Sequence, residues 1–175
     1  FTALMATTLL LSPTLTFAKT HTVPSASKSF DGAKAKVAPG DVICLEAGSR
    51  SNLILKAVVG SKAQPVVIKN CGGQVRVESA TSHGILVVSS QHFRLLGNGD
   101  PATQYGIYIG KTPKGSQGLA LGGKSSDYEV AHLEIEKSGF AGIMSKTDPS
   151  CADPDLRGFV QRNTHFHHNY IHDVG

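Results

Sequence analysis

The feature that most constrains this chain is a short phrase that keeps returning. A Gly followed by alternating apolar positions stands at Gly84-Ile85-Leu86-Val87, Gly106-Ile107-Tyr108-Ile109, Gly118-Leu119-Ala120-Leu121 and Gly142-Ile143-Met144. The step from Gly84 to Gly106 is 22 residues, and that from Gly118 to Gly142 is 24. A second similarity runs at 36 residues: His132-Leu133-Glu134-Ile135 aligns with His168-Asn169-Tyr170-Ile171, Gly139 with Gly175, and Ser89-Ser90 with Ser125-Ser126. Self-similarity at periods of roughly 20–50 residues marks a stacked repeat, in which no unit buries its own apolar face and the neighbours supply the core.

The units read as strands. Candidates are Asp41–Glu46, Asn52–Lys56, Pro65–Lys69, Val75–Glu78, Gly84–Val88, His92–Leu96, Gly106–Ile109, Gly118–Leu121, Tyr128–Ile135, Gly142–Met144 and Thr164–Ile171. Turns such as Asn70-Cys71-Gly72-Gly73 and Gly97-Asn98-Gly99 separate them. No window outside the N-terminus carries a 3.6-residue apolar stripe. With 19 Gly, 17% charged residues and no Trp, the composition disfavours both a helical bundle and a disordered chain. A β-sandwich would show tight hairpin spacing and no shared phrase, and a leucine-rich repeat needs a Leu/Asn consensus that is absent. The expectation is an all-β, right-handed, single-stranded parallel β-helix over residues 38–175, with later coils missing beyond Gly175.

Residues 1–18 are uncharged, apolar and small, and Thr16-Phe17-Ala18 has the form of a signal-peptidase site. This stretch reads as a secretory signal; starting at Phe rather than Met, it predicts lost residues upstream. It is shorter than the roughly 20 apolar residues of a membrane span, so no span is expected after cleavage. Residues 19–37 read as a linker or N-terminal cap. Export to the periplasm, cell surface or medium makes Cys44 and Cys71 candidates for a disulfide between neighbouring coils, leaving Cys151 over. The net charge of +4 is uneven, with ten basic and four acidic residues before position 100 and seven and nine from position 100 onward. Basic residues are scattered without interleaved aromatics, which argues against nucleic acid and is compatible with an acidic glycan.

Ala38-Pro39-Gly40-Asp41-Val42-Ile43-Cys44-Leu45, followed by Gly60 and Pro65-Val66-Val67-Ile68, resembles the opening of secreted right-handed β-helix proteins of the pectate-lyase-like and chondroitinase-B type. Asn70-Cys71-Gly72-Gly73-Gln74-Val75, Phe140-Ala141-Gly142-Ile143-Met144 and Asn169-Tyr170-Ile171-His172-Asp173 are similar to bacterial β-helix repeat proteins of unassigned activity. The resemblance spans about Ala38 to Gly175. It implies a carbohydrate-active, monomeric protein. The lyases' catalytic Lys and Arg and their calcium carboxylates lie in later coils, so no residue is carried over from them.

Two stretches carry candidate chemistry. In the polar segment from Ser145 to Arg157, Asp148, Asp153 and Asp155 offer oxygen ligands for Ca²⁺, and Lys146 and Arg157 offer charge to an acidic sugar. The alternative is a solvated Pro-rich loop. In Thr164-His165-Phe166-His167-His168, an inward Phe166 puts His165 and His167 together on the outer face, as a metal pair or as general acid and base. The alternative there is a set of His at turns, with Asn169 stacked in a ladder. Tyr108 is a candidate sugar-stacking residue. The expected function is a polysaccharide lyase or glycan-binding protein acting on acidic polysaccharide, with Lys146, His165 and His167 as catalytic candidates. The competing reading is a non-catalytic surface or adhesion scaffold.

Overall fold

Short runs of Val, Ile and Leu favour extended backbone, and runs this short must find hydrogen-bonding neighbours in the adjacent repeat. The computed structural model describes residues 17–147 and 156–175, and the regular structure among these described residues is fourteen β-strands without an α-helix. No helix among the described residues is long and apolar enough to cross a membrane. The strands form one nine-stranded and one five-stranded sheet, and they pair in parallel.

The larger sheet divides into two columns because β3 (Val42–Arg50) and β5 (Val66–Val77) each contribute twice. The first half of β5 pairs with β7 (Gln91–Leu96), and its second half pairs with β8 (Ile107–Ile109). Column A therefore runs β1 (Thr20–Val23), β3, β5, β7, β10 (Ser126–Ala131) and β13 (Thr164–His167). Column B runs β3, β5, β8, β11 (Leu133–Glu136) and β14 (Tyr170–His172). The five-stranded sheet is column C: β2 (Ser29–Asp31), β4 (Leu53–Lys56), β6 (Ile85–Val88), β9 (Gln117–Gly122) and β12 (Ala141–Ser145). From β3 onward the chain visits A, B and C in that order and then starts again.

Register converts the repeat into a core. Ile43, Ile68, Leu95 and Val130 are successive partners in column A, and Leu53, Ile85, Leu119 and Ile143 in column C. Apart from the partly buried Ile143, these side chains are fully buried, each contributing on the order of 1.5–3 kcal/mol of transfer free energy. Phe93 and Tyr128 stack with ring centroids 5.2 Å apart, and Phe166 meets Tyr128 edge-on at 5.9 Å.

The repeated glycines have a packing cause. Side chains added at Gly84, Gly118 and Gly142 would come within about 2.5 Å of Ile109, Ile135 and Ile171 respectively. Each Gly thus makes room for an isoleucine of the next coil. Gly84, Gly118 and Gly142 all enter column C, whereas Gly106 opens β8 of column B. The 22-residue step therefore compares different columns, and the steps within column C are 34 and 24 residues. The 36-residue alignment is real structural register: Glu134 pairs with Tyr170 and Ile135 with Ile171. The serine pairs slip by one, since Ser126 pairs with Gln91 and the Ser125 hydroxyl receives the Ser90 N–H.

Two expected long strands are broken. Tyr128–Ile135 divides into β10 and β11 at His132, and Thr164–Ile171 into β13 and β14 at His168, both in the left-handed region at φ 60° and 51°. Such corners stack from coil to coil, because one bent backbone fits best on another bent at the same place. His92, Asp127 and Asn163 form a further left-handed row. The Asn169 side chain completes the A-to-B corner, accepting from the Leu133 N–H at 3.0 Å and donating to the Val130 carbonyl at 3.0 Å.

The segment read as linker or cap contributes β1 and β2. It is anchored by Asp41, which is 4% exposed and accepts from the Lys19 and Ala38 N–H groups and the His21 ring at 2.8–2.9 Å. Burial pushes the Asp41 pKa up, but these hydrogen bonds outweigh it and hold the carboxyl below its usual range. Cys44 and Cys71 are joined in a disulfide, with Cα atoms 5.7 Å apart.

Two outcomes follow from this packing. Gly118→Ala puts a methyl 2.5 Å from Ile135 Cγ2 and 2.8 Å from the Gly142 carbonyl, and should lower stability by about 1–3 kcal/mol in urea unfolding; an unchanged midpoint would contradict the ladder. Because folded Asp41 titrates below an unfolded aspartate (about 3.9), its contribution is complete above about pH 4 and is lost as the pH falls through the folded value. Asp41→Asn should therefore lower the unfolding midpoint at pH 7 and flatten its decline below about pH 4.

Candidate functional site

Alternation sends every second side chain of β7, β10 and β13 outward, and register aligns them. Arg94 pairs with Glu129, and Glu129 with His165. Glu129 is held from both sides, with Arg94 Nε 3.3 Å from Oε2 and His167 Nε2 2.9 Å from Oε1. The His165 and His167 rings lie 4.5 Å apart, so the two share the outer face while Phe166 turns in toward Tyr128.

The His167 ring continues the chain of contacts. Its Nδ1 lies 2.6 Å from Nδ1 of His168, so one nitrogen carries the proton and the other accepts it. The assignment that satisfies every contact has His167 donating from Nε2 to Glu129 and His168 donating from Nδ1 to His167. His168 Nε2 is then the basic end of a Glu129–His167–His168 relay. The His168 ring is stacked on His132 at 5.3 Å. Burial, and then the neighbouring His168 and His167, hold the His132 pKa below its ordinary value, with Glu129 opposing them.

Beside the relay lies a cleft of about 360 Å³, whose lining includes Lys62, His92, Arg94, Asp127, Glu129 and His165. Four of these six are cationic or can become so, and Asn163 donates to Asp127 across the adjoining corner at 2.6 Å. Lys62 and Arg94 are balanced there by Asp127 and Glu129, so the lining offers hydrogen-bonding groups of both charges together with two imidazoles.

Column B carries a second outward row: Arg76, Tyr108, Glu134 and Tyr170. Tyr108 is 8% exposed; the Arg76 guanidinium covers its ring at 4.1 Å, and its hydroxyl donates to Glu136. Burial, followed by that carboxylate, pushes the Tyr108 pKa up to about 12. The exposed aromatic of this row is Tyr170, at 49%, stacked on His172 at 4.4 Å. The His172 pKa is raised, first by its hydrogen bond to Asp173.

The remaining sequence candidates fall elsewhere. Lys146 follows β12, donates its N–H to the Leu121 carbonyl, and lines a different cleft with Gln161 and Thr164. Arg157 is exposed in a turn. Asp148, Cys151, Asp153 and Asp155 lie outside the described residues. Sequence reasoning passed over Arg94, Glu129 and His168. The histidine strand by itself carries no carboxylate, and Glu129 comes from the adjacent strand β10, directly opposite His165. The 36-residue offset carried that information.

No family model, curated protein or solved structure matches the chain.

One titration checks the electrostatics of the relay. In an NMR pH series His132 should titrate below the ordinary histidine value of about 6.5, and Glu129→Gln should move it lower still, since that carboxylate is what raises it. A midpoint above 6.5 would contradict the arrangement.

Proposed function

We propose that this chain is part of an exported right-handed parallel β-helix protein that binds acidic polysaccharide along the outward face of column A. What supports the helical reading is the fixed order of columns, since a parallel return to the same sheet is right-handed in nearly all proteins. What carries the functional reading is the cleft beside β7, β10 and β13, where Lys62, His92, Arg94 and His165 gather next to the relay. A uronate carboxylate would meet Lys62 and Arg94 in that lining, and Arg94, half exposed while bridged to Glu129, keeps donors for it.

The relay suits β-elimination. His168 takes the proton on the carbon next to the uronate carboxyl, and the electron pair passes into that carboxyl as an enolate. The pair then returns to form a carbon–carbon double bond as the glycosidic C–O bond breaks, and the departing oxygen takes up a proton. Lys62 and Arg94 offset the developing charge, and Glu129 stabilises the protonated histidines.

The test uses a panel of uronate polysaccharides, following affinity and the absorbance of the unsaturated product. Arg94→Ala should weaken binding about tenfold, and binding should fall as salt rises. His168→Ala should abolish product while sparing binding. Binding without product would reduce the protein to a glycan-binding module. No binding of any acidic glycan would leave the rigid surface scaffold as the reading.

A further inference from the structure

The column A cleft holds two opposite charges that do not pair with each other. Arg94 and Glu129 offset one another across β7 and β10, and His167 engages the second oxygen of Glu129, so that carboxylate is fully occupied. Lys62 and Asp127 line the same cleft. Among the described residues neither of them lies within ion-pair distance of an opposite charge.

Asp127 is held in place as an anion. It sits at a left-handed corner position with φ 56°, and Asn163 donates to its Oδ1 at 2.6 Å. That hydrogen bond first, and then Ser126, His92 and Arg162, hold its carboxyl below the usual range against the opposing effect of burial. Register separates it from the arginine: Glu129 is the partner of Arg94, and Asp127 stands two residues earlier on β10. Lys62 enters from the loop between β4 and β5 and is exposed. A cleft that keeps a cation and an anion apart is complementary to a ligand carrying the reverse pair of charges. A sugar hydroxyl can also bond to Asp127, but only a cation offsets its charge.

We propose that this cleft selects zwitterionic glycans, in which a uronate lies next to an amino sugar bearing a free ammonium group. The uronate carboxylate meets Lys62 and Arg94, and the ammonium meets Asp127. The inference rests on the acidic-polysaccharide reading above and narrows it. A purely anionic or amide-capped polymer brings no cation to Asp127 and is disfavoured there.

The experiment compares hyaluronan and heparosan with the same two polymers after N-deacetylation, which exposes amines and leaves the uronates unchanged. Affinity for the full chain is read by calorimetry at about pH 6, where such amines are charged. Each deacetylated polymer that binds should do so about tenfold more tightly than its native form. The chain's net charge of +4 favours the more anionic native polymers, so overall charge alone gives the opposite order. Asp127→Asn keeps an acceptor for Asn163 and should bring native and deacetylated forms to within about twofold of each other. Lys62→Ala should weaken both forms, and circular dichroism verifies that each variant is folded. Equal or tighter binding of the native forms, a preference that survives Asp127→Asn, or unchanged affinities in Lys62→Ala would overturn this inference while the glycan reading stands. Binding of none of the four polymers also overturns it, and the wider uronate panel then decides the glycan reading separately.

Discussion

Backbone hydrogen bonds between successive coils run along the columns, and everything else in the molecule follows from their register. A strand of three to six residues has too little apolar surface to hold itself, so its inward side chains are stable only when the coils above and below present apolar groups at the same level. A slip of one residue would turn Ile68 or Leu95 outward and bring Val67 or Arg94 into the core. The Gly84, Gly118 and Gly142 row guards against this slip. Each accepts an isoleucine methyl where no side chain fits, so the glycines and isoleucines fix one another's height.

The same register that builds the core orders the surface. Residues that share an outward position lie about one coil apart in sequence, and their side chains become neighbours without any local motif. Arg94, Glu129 and His165 form one such row, and Arg76, Tyr108, Glu134 and Tyr170 another. Corners behave likewise: His132 lies under His168, and Asp127 under Asn163. A chemical group here belongs to a row of the stack, so its parts are scattered along the chain and come together only through pairing.

This explains what was legible in the sequence. The strand phrases, their parallel stacking, the outward pair His165 and His167, and the Cys44–Cys71 bridge could be read because each depends on alternation or on neighbouring strands. The columns could not be assigned from the phrase alone, since Gly106-Ile107-Tyr108-Ile109 has the same pattern as Gly84-Ile85-Leu86-Val87 but pairs with different strands. The spacing varies as well: partners in column A are 22, 25, 27, 35 and 36 residues apart, so no single period locates Glu129 opposite Arg94. The breaks at His132 and His168 were hidden for another reason. A left-handed corner usually announces itself with Gly or Asn, and here stacking on an identical corner supports it in histidine.

Stacking also gives the uneven charge of the chain a physical meaning. Like charges directly above one another in a parallel column would sit one strand spacing apart and repel. In column A the basic Arg94 of one coil faces the acidic Glu129 of the next, which in turn faces histidines. In column B the basic Arg76 comes first, Glu134 and Glu136 follow two coils later, and His172 comes after them. Basic residues early and acidic residues late are therefore partly a device for pairing successive coils, and net charge overstates how much positive surface is free for a ligand. Around the cleft Lys62, His92 and His165 stand with Asp127, so the character of that surface is set by the arrangement of the row and not by the overall basicity of the chain.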